Sequence, residues 1–155
     1  MTVRTESRII IARRIDEVWS YLCDVERWRE WAPTVLECRM RDHGPLRPGT
    51  WIEQKAKDYG WVHHRSEQVT VLDPPHFMAF AGTMGSSAAR WGMELSAEGD
   101  ERTNSMMWVE VDIANVMRAI PRRALQSQVQ RVSNVEMAAI KAAVEHDAHA
   151  DGGRP

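Results

Sequence analysis

The residues best able to do chemistry sit in one short run, Trp61-Val62-His63-His64-Arg65-Ser66-Glu67. Side chains alternate faces along a strand, so His63, Arg65 and Glu67, spaced by two, share a face if the run is extended. That face would carry an imidazole that titrates near neutrality, a guanidinium with five fixed donors, and a carboxylate. A guanidinium so placed can hold a carboxylate or stabilise an enolate oxygen, and the imidazole can move protons. The bland alternative is an Arg65–Glu67 ion pair at the rim of a sheet, or a twist that carries His63 and Arg65 into solvent. Other constellations fail on geometry. His63 and His64 point to opposite faces and cannot chelate one metal. Glu110 and Asp112 fall on the polar phase of their strand, Ser86-Ser87 has no base near it in sequence, and no nucleotide motif is present. No metal site and no cofactor is expected.

The elements around that run decide which way it faces. Val69 and Val71 alternate with Gln68 and Thr70, so counting back in twos puts Glu67, Arg65, His63 and Trp61 on the inner face. Three neighbouring strands supply apolar walls: Met78, Phe80, Gly82 and Met84; Ala89, Trp91, Met93 and Leu95; Met107, Val109, Val111 and Ile113. The pattern predicts strands over 3–11, 35–40, 50–57, 61–72, 77–84, 88–96 and 103–113, with connections too short for parallel crossovers. Between the first two strands, Val18, Trp19, Leu22, Val25, Trp28 and Trp31 recur at helical spacing, Asp24 splits the stretch in two as an N-cap, and Pro33 stops it. A long helix then runs from 121 to about 144, with Leu125, Val129, Val132, Val135, Ala139, Ile140 and Ala143 as its apolar stripe. The expected class is α+β: a curved seven-stranded antiparallel sheet wrapped around that helix. Candidate ligand contacts are Trp61, Glu67, Val69, Met78, Phe80, Trp91, Met93, Met107, Val109, Leu125 and Val132, with Arg65 and His63 as candidate catalytic residues.

Composition limits the partners. The chain has 155 residues and a formal net charge of −2, so no basic field exists to hold nucleic acid. No apolar run reaches the roughly 20 residues of a membrane span, and the first residues lack the apolar stretch of a signal peptide. Cys23 and Cys38 are too few for a disulfide framework, so a cytoplasmic location with reduced thiols is expected. Residues 1–145 read as one domain, a monomer or homodimer, and 146–155 as a polar tail that frays. Seven of the eleven aromatic residues are tryptophan, and nine methionines accompany them, the large adaptable side chains that suit both cores and ligand cavities.

The segment 11–33 (IARRIDEVWSYLCDVERWREWAP) carries a family resemblance through Asp16-Glu17-Val18-Trp19, Leu22 with Asp24, and Trp28 and Trp31 ahead of Pro33. With Asp73-Pro74-Pro75 and the final helix, the chain from about 3 to 145 resembles the START-like helix-grip superfamily, and more narrowly its polyketide cyclase/dehydratase group. It departs at Arg13-Arg14, where a small residue and a proline are common. The resemblance implies a cavity between sheet and helix that holds a hydrophobic small molecule such as a lipid, quinone or polyketide-like compound. It also implies an arginine at the position of Arg65 that orients or polarises a carbonyl in the aromatase/cyclases. Those relatives pair it with a tyrosine near the position of Val35 and a second arginine on the strand 77–84; this chain has neither. Three readings therefore stand open: a binder or carrier, a cyclase or dehydratase acting on a poly-β-ketone or related precursor, and a groove for a partner peptide.

Overall fold

The structure, a computed structural model, describes residues 1–58, 60–84, 86–113 and 119–151. Strand β1 (Thr2–Ile11) leads into helix α1 (Ile15–Cys23), a short 3-10 helix (Val25–Glu30), and strands β2 (Val35–Met40) to β7 (Thr103–Asp112). Between them lie β3 (Trp51–Asp58), β4 (Trp61–Asp73), β5 (Phe77–Met84) and β6 (Ser87–Ala97), and helix α2 (Arg122–Asp151) closes the chain. All strands join one antiparallel sheet in the order β1-β7-β6-β5-β4-β3-β2. Where the sequence predicts loosening from His146 onward, α2 continues to Asp151, and Asp147 is gripped by Arg27 of the 3-10 helix; positions 152–155 lie outside the described residues.

Alternation drives the sheet. Val3, Thr5, Ser7 and Ile11 of β1 are buried against Met107, Val109 and Val111 of β7, while Arg4 and Glu6 face out. Helix α1 begins with a capping box in which the Arg14 N–H donates to Glu17 Oε2 at 3.1 Å. The split at Asp24 is as predicted, but its side chain caps nothing, and the second segment is 3-10 rather than α.

Helix α2 lies mainly along β1 and β7. Its side chains satisfy backbone groups of β1: Gln130 donates to the Glu6 carbonyl at 2.8 Å and Lys141 to the Ile10 carbonyl at 2.8 Å. An edge strand is thereby covered instead of left open to another chain. The 3-10 helix packs on the other edge of the sheet, against β2, and reaches inward through its aromatic side chains. Trp28, 1% exposed, anchors it by donating its indole N–H to the Leu22 carbonyl at 2.9 Å and packing edge-on against Phe80 and Trp91.

Two expectations fail on phase. Thr70 is an extra residue in β4: Val69 pairs with Phe80 and Val71 with the next residue, Ala79. This bulge turns Val71 out to 44% exposure while Val69 stays buried. On α2 the buried positions are Leu125, Ser133, Met137, Ile140 and Val144, and Val132 and Val135 are exposed at 38% and 51%. At a 100° helical step the stripe centres on Ser133, Met137, Ile140 and Val144, with Leu125 at its margin, and the two valines lie about 110° and 170° round the helix from that centre.

Gly82 stands directly opposite Glu67 with no room for a side chain. A Cβ there would lie 2.8 Å from the Glu67 Cβ and 3.0 Å from the Ser66 carbonyl oxygen. Gly82→Ala is expected to cost about 1–3 kcal/mol of stability, the range for overpacking a filled site. Chemical denaturation of the two proteins tests this; equal midpoints would show that the strands part without penalty.

Candidate functional site

The phase of β4 is fixed by Val69, 1% exposed, and holds back along the strand, so Glu67, Arg65 and His63 share the inner side. Their partners come from β3, where Ile52, Gln54 and Ala56 are the buried residues. Gln54 stands opposite Arg65, and the three polar side chains form a chain. Arg65 Nε donates to Gln54 Oε1 at 2.6 Å, and Gln54 Nε2 donates to Glu67 Oε1 at 2.8 Å. The second Glu67 oxygen accepts from Trp91 Nε1 of β6 at 2.8 Å, reaching across β5 over Gly82. Glu67 is deeply enclosed, and burial raises its pKa against the opposing pull of the Trp91 hydrogen bond and the Arg65 charge.

Trp91 joins this row to the aromatic cluster. Its ring stacks on Phe80 with centroids 4.2 Å apart, and Trp28 and Trp31 meet it edge-on at 5.3 and 6.0 Å. Such pairs contribute about 0.5–1.5 kcal/mol each beyond their burial. Trp31 Nε1 is buried and has no hydrogen-bond partner among the described residues.

On α2, Glu136 lies in sequence between the buried Ser133 and Met137 and is itself half-buried. It accepts no hydrogen bond among the described residues. Burial pushes its carboxyl up to about 7; Arg65 pulls the value down, and Glu67 raises it. Arg65, Glu67, Trp91 and Glu136 each retain accessible surface, although protein encloses the two carboxyls. Cys38, on the neighbouring β2, is pushed up to about 12 by burial first and Glu67 second, so its thiol is no nucleophile at neutral pH.

The sequence-predicted residues divide accordingly. Arg65, Glu67 and Trp91 come together, and His63 lies half-buried one inward step further along β4. Val69, Met78, Phe80, Met93 and Met107 are 0–1% exposed, and Val109 and Leu125 are 8% exposed; all seven belong to the packed core. Two leave the site. Trp61 is 79% exposed, because β4 pairs with β5 only from Glu67 onward and its first residues form a two-stranded arm with β3. Val132 points away on α2, as described above. Gln54, Trp31 and Glu136 join the constellation without having been predicted. Glu136 had a legible signal: it lies three residues after Ser133 and four before Ile140, on the true inner stripe.

The raised Glu136 value has a consequence for stability. Folding lifts its pKa from an ordinary 4.5 to about 7, so the folded chain binds the proton more tightly than the unfolded one. Stability from this group is complete below about pH 4.5 and is lost as pH rises through about 7, about 2–3 kcal/mol in all. Glu136→Gln should remove that slope and leave the variant more stable than the parent above neutrality. Urea denaturation of both at about pH 5 and pH 8 measures it, and parallel losses in the two proteins would be the contrary result.

A family model described as polyketide cyclase / dehydrase and lipid transport matches residues 2–145. No protein of curated function matches the chain. Among solved structures it is similar to the Zhui aromatase/cyclase from Streptomyces sp. R1128, at 17% identity and a TM-score of 0.82 over 99% of this chain and 100% of that one. A START superfamily protein from Mycobacterium smegmatis is similar at 11% identity and a TM-score of 0.79, over 92% of this chain and 97% of that one. The di-domain ARO/CYC StfQ from the steffimycin biosynthetic pathway is 14% identical with a TM-score of 0.75, over 96% of this chain and 52% of that one. At such identities the likeness establishes the helix-grip fold. The family model covers nearly the whole of that fold, and the chain belongs to the polyketide cyclase / dehydrase and lipid transport family.

Proposed function

We propose that this protein takes a hydrophobic, polyketide-like molecule between the sheet and α2 and acts on it as a cyclase or dehydratase, with Arg65 polarising a carbonyl. The observation that carries the reading is the hydrogen-bonded chain Arg65–Gln54–Glu67–Trp91, an ionic row built on the inner face of the sheet beside an aromatic cluster. An ionic row inside a protein costs desolvation, and replacing it with apolar residues often leaves a fold as stable or more so. Its presence is better accounted for by chemistry than by stability. The orientation of Arg65 is fixed by its Nε bond to Gln54. A carbonyl oxygen held by its guanidinium gains stabilisation as it becomes an enolate oxygen, which lowers the barrier to carbon–carbon bond formation or loss of water. His63, on the same side of β4, is the proposed proton carrier. The aromatase/cyclases among the similar structures support this class of reaction.

A carrier that binds without turnover is the second reading. It is favoured by Val35, buried at 6% where the resembling enzymes place a tyrosine, and by the absence of arginine from β5.

Three variants of Arg65 separate the readings. For the enzyme, Arg65→Met should keep binding of an apolar polyketide mimic while turnover falls about 100-fold, since the group acts mainly in the transition state. Arg65→Lys should recover part of the rate, because an ammonium lacks the planar fork. Arg65→Ala, if the guanidinium also holds the ground state, should weaken binding by about 1.5–3 kcal/mol. Binding titrations beside a product assay decide the matter. Saturable binding by the parent with no turnover above background would transfer the conclusion to the carrier, and the absence of both would refute each reading.

A further inference from the structure

Three indoles meet in the aromatic cluster, and two of their N–H groups are spent. Trp28 Nε1 donates to the Leu22 carbonyl at 2.9 Å, and Trp91 Nε1 donates to Glu67 Oε2 at 2.8 Å. Trp31 Nε1 is buried and has no partner among the described residues. Trp31 is 4% exposed, and its ring meets that of Trp91 with centroids 6.0 Å apart and planes at 67°. Buried donors in native proteins are nearly always satisfied. A donor so kept is suited to an acceptor on a molecule that enters.

The register of the sheet shows where there is room. On the inner face the row Met78–Met93–Met107 is closed, each residue 0–1% exposed. In the next row Phe80 is fully buried under the stacked indole, while Trp91 is only half-buried. In the row after that, Glu67, Gly82 and Ala89 all retain accessible surface. The inner face therefore opens toward Gly82, and Trp31 stands against the row where the opening begins.

A single neutral donor specifies its partner. A ligand carboxylate there would be an enclosed charge with one neutral N–H to hold it, in a cluster that already carries Glu67. A hydroxyl brings a hydrogen of its own that an indole cannot answer, and a hydrocarbon leaves the N–H unmet. A carbonyl oxygen is met by one donor and adds no charge. Arg65 and Trp31 lie at opposite ends of the contact chain, the guanidinium beyond Gln54 and Glu67, the indole beyond Trp91. A ligand that meets both offers them separate oxygens.

We infer that Trp31 is a binding residue for a neutral carbonyl oxygen of the ligand, other than the one at Arg65, and that the site thereby selects ketones over hydrocarbons and carboxylates. The inference rests on the proposed function in one respect, that a ligand lies against the inner face of the sheet.

Calorimetric titration with acetylnaphthalene, ethylnaphthalene and naphthoate tests it, beside nuclear magnetic resonance of the indole N–H groups. The ketone should bind the parent about fivefold more tightly than the hydrocarbon of the same shape, the scale of one neutral hydrogen bond, with naphthoate weakest. Trp31→Phe keeps an aromatic ring and removes the donor, and should erase that advantage. The Trp31 N–H resonance, assigned in the parent, should move downfield with the ketone and stay in place with ethylnaphthalene; this readout stands should the phenylalanine variant repack. An unmoved Trp31 resonance, a ketone advantage undiminished in Trp31→Phe, or naphthoate binding as tightly as the ketone would overturn the inference while leaving an occupied site. Failure of all three probes to bind the parent would instead overturn the ligand site itself.

Discussion

Trp91 holds the two halves of the interior together. Its ring face packs on Phe80, its edges meet Trp28 and Trp31, and its single polar atom is spent on Glu67. An indole is suited to this place because it carries a large apolar surface and one donor at its rim. Without that donor, Glu67 would keep only Gln54, and a deeply enclosed carboxylate with one partner is costly. The indole N–H reaches Glu67 across β5 at the point where Gly82 presents no side chain. Aromatic packing, the missing Cβ and the ionic row are therefore one arrangement, and each of the three requires the others.

Much of this was readable in the sequence, for a physical reason. Strands of an antiparallel sheet with one buried face alternate strictly, and Val69 alone suffices to place Glu67, Arg65 and His63 on the inner side. The same rule misplaced Val71, because an extra residue inserted at Thr70 leaves no mark in a run that still reads as alternating. It misplaced Trp61 too, since alternation states the face but not how far along a strand the neighbouring strand and the helix still cover it. On α2 the error came from weight given to hydrophobicity. Val132 and Val135 drew the stripe toward themselves, whereas the buried face carries Ser133 and Glu136 among its methionine and isoleucine. Polar residues on a buried face are invisible to a search for apolar periodicity, and they are the ones with chemistry.

β4 and α2 differ in how firmly they are held. β4 is held by the ladder to β3 from Trp61 to Gln68, by the ladder to β5 from Glu67 onward, and by its own side-chain chain. Helix α2 is tied to β1 through Arg122, Gln130 and Lys141, to Ala12 through Glu145, and to the 3-10 helix through the Arg27–Asp147 pair. All of these ties but that of Arg122 lie beyond the first two turns of the helix.

The strand order also constrains how the molecule comes into being. From β3 to β7 each strand lies beside its predecessor, so β2 to β7 can pair in succession through short turns. β1 cannot. Its sheet partner is β7, and Arg4 reaches Glu110 across a sequence separation of 106 residues. Closing a loop of that length costs about 4 kcal/mol of chain entropy, and the return comes only when β1 docks and α2 covers it. A chain leaving the ribosome would therefore carry its first strand unpaired until nearly all the rest has been made. Ile9, Ile10 and Ile11 stand in that strand, a short β-prone run held in waiting, and Arg4 and Arg8 in the same strand are charges of the kind that discourage premature pairing with another chain.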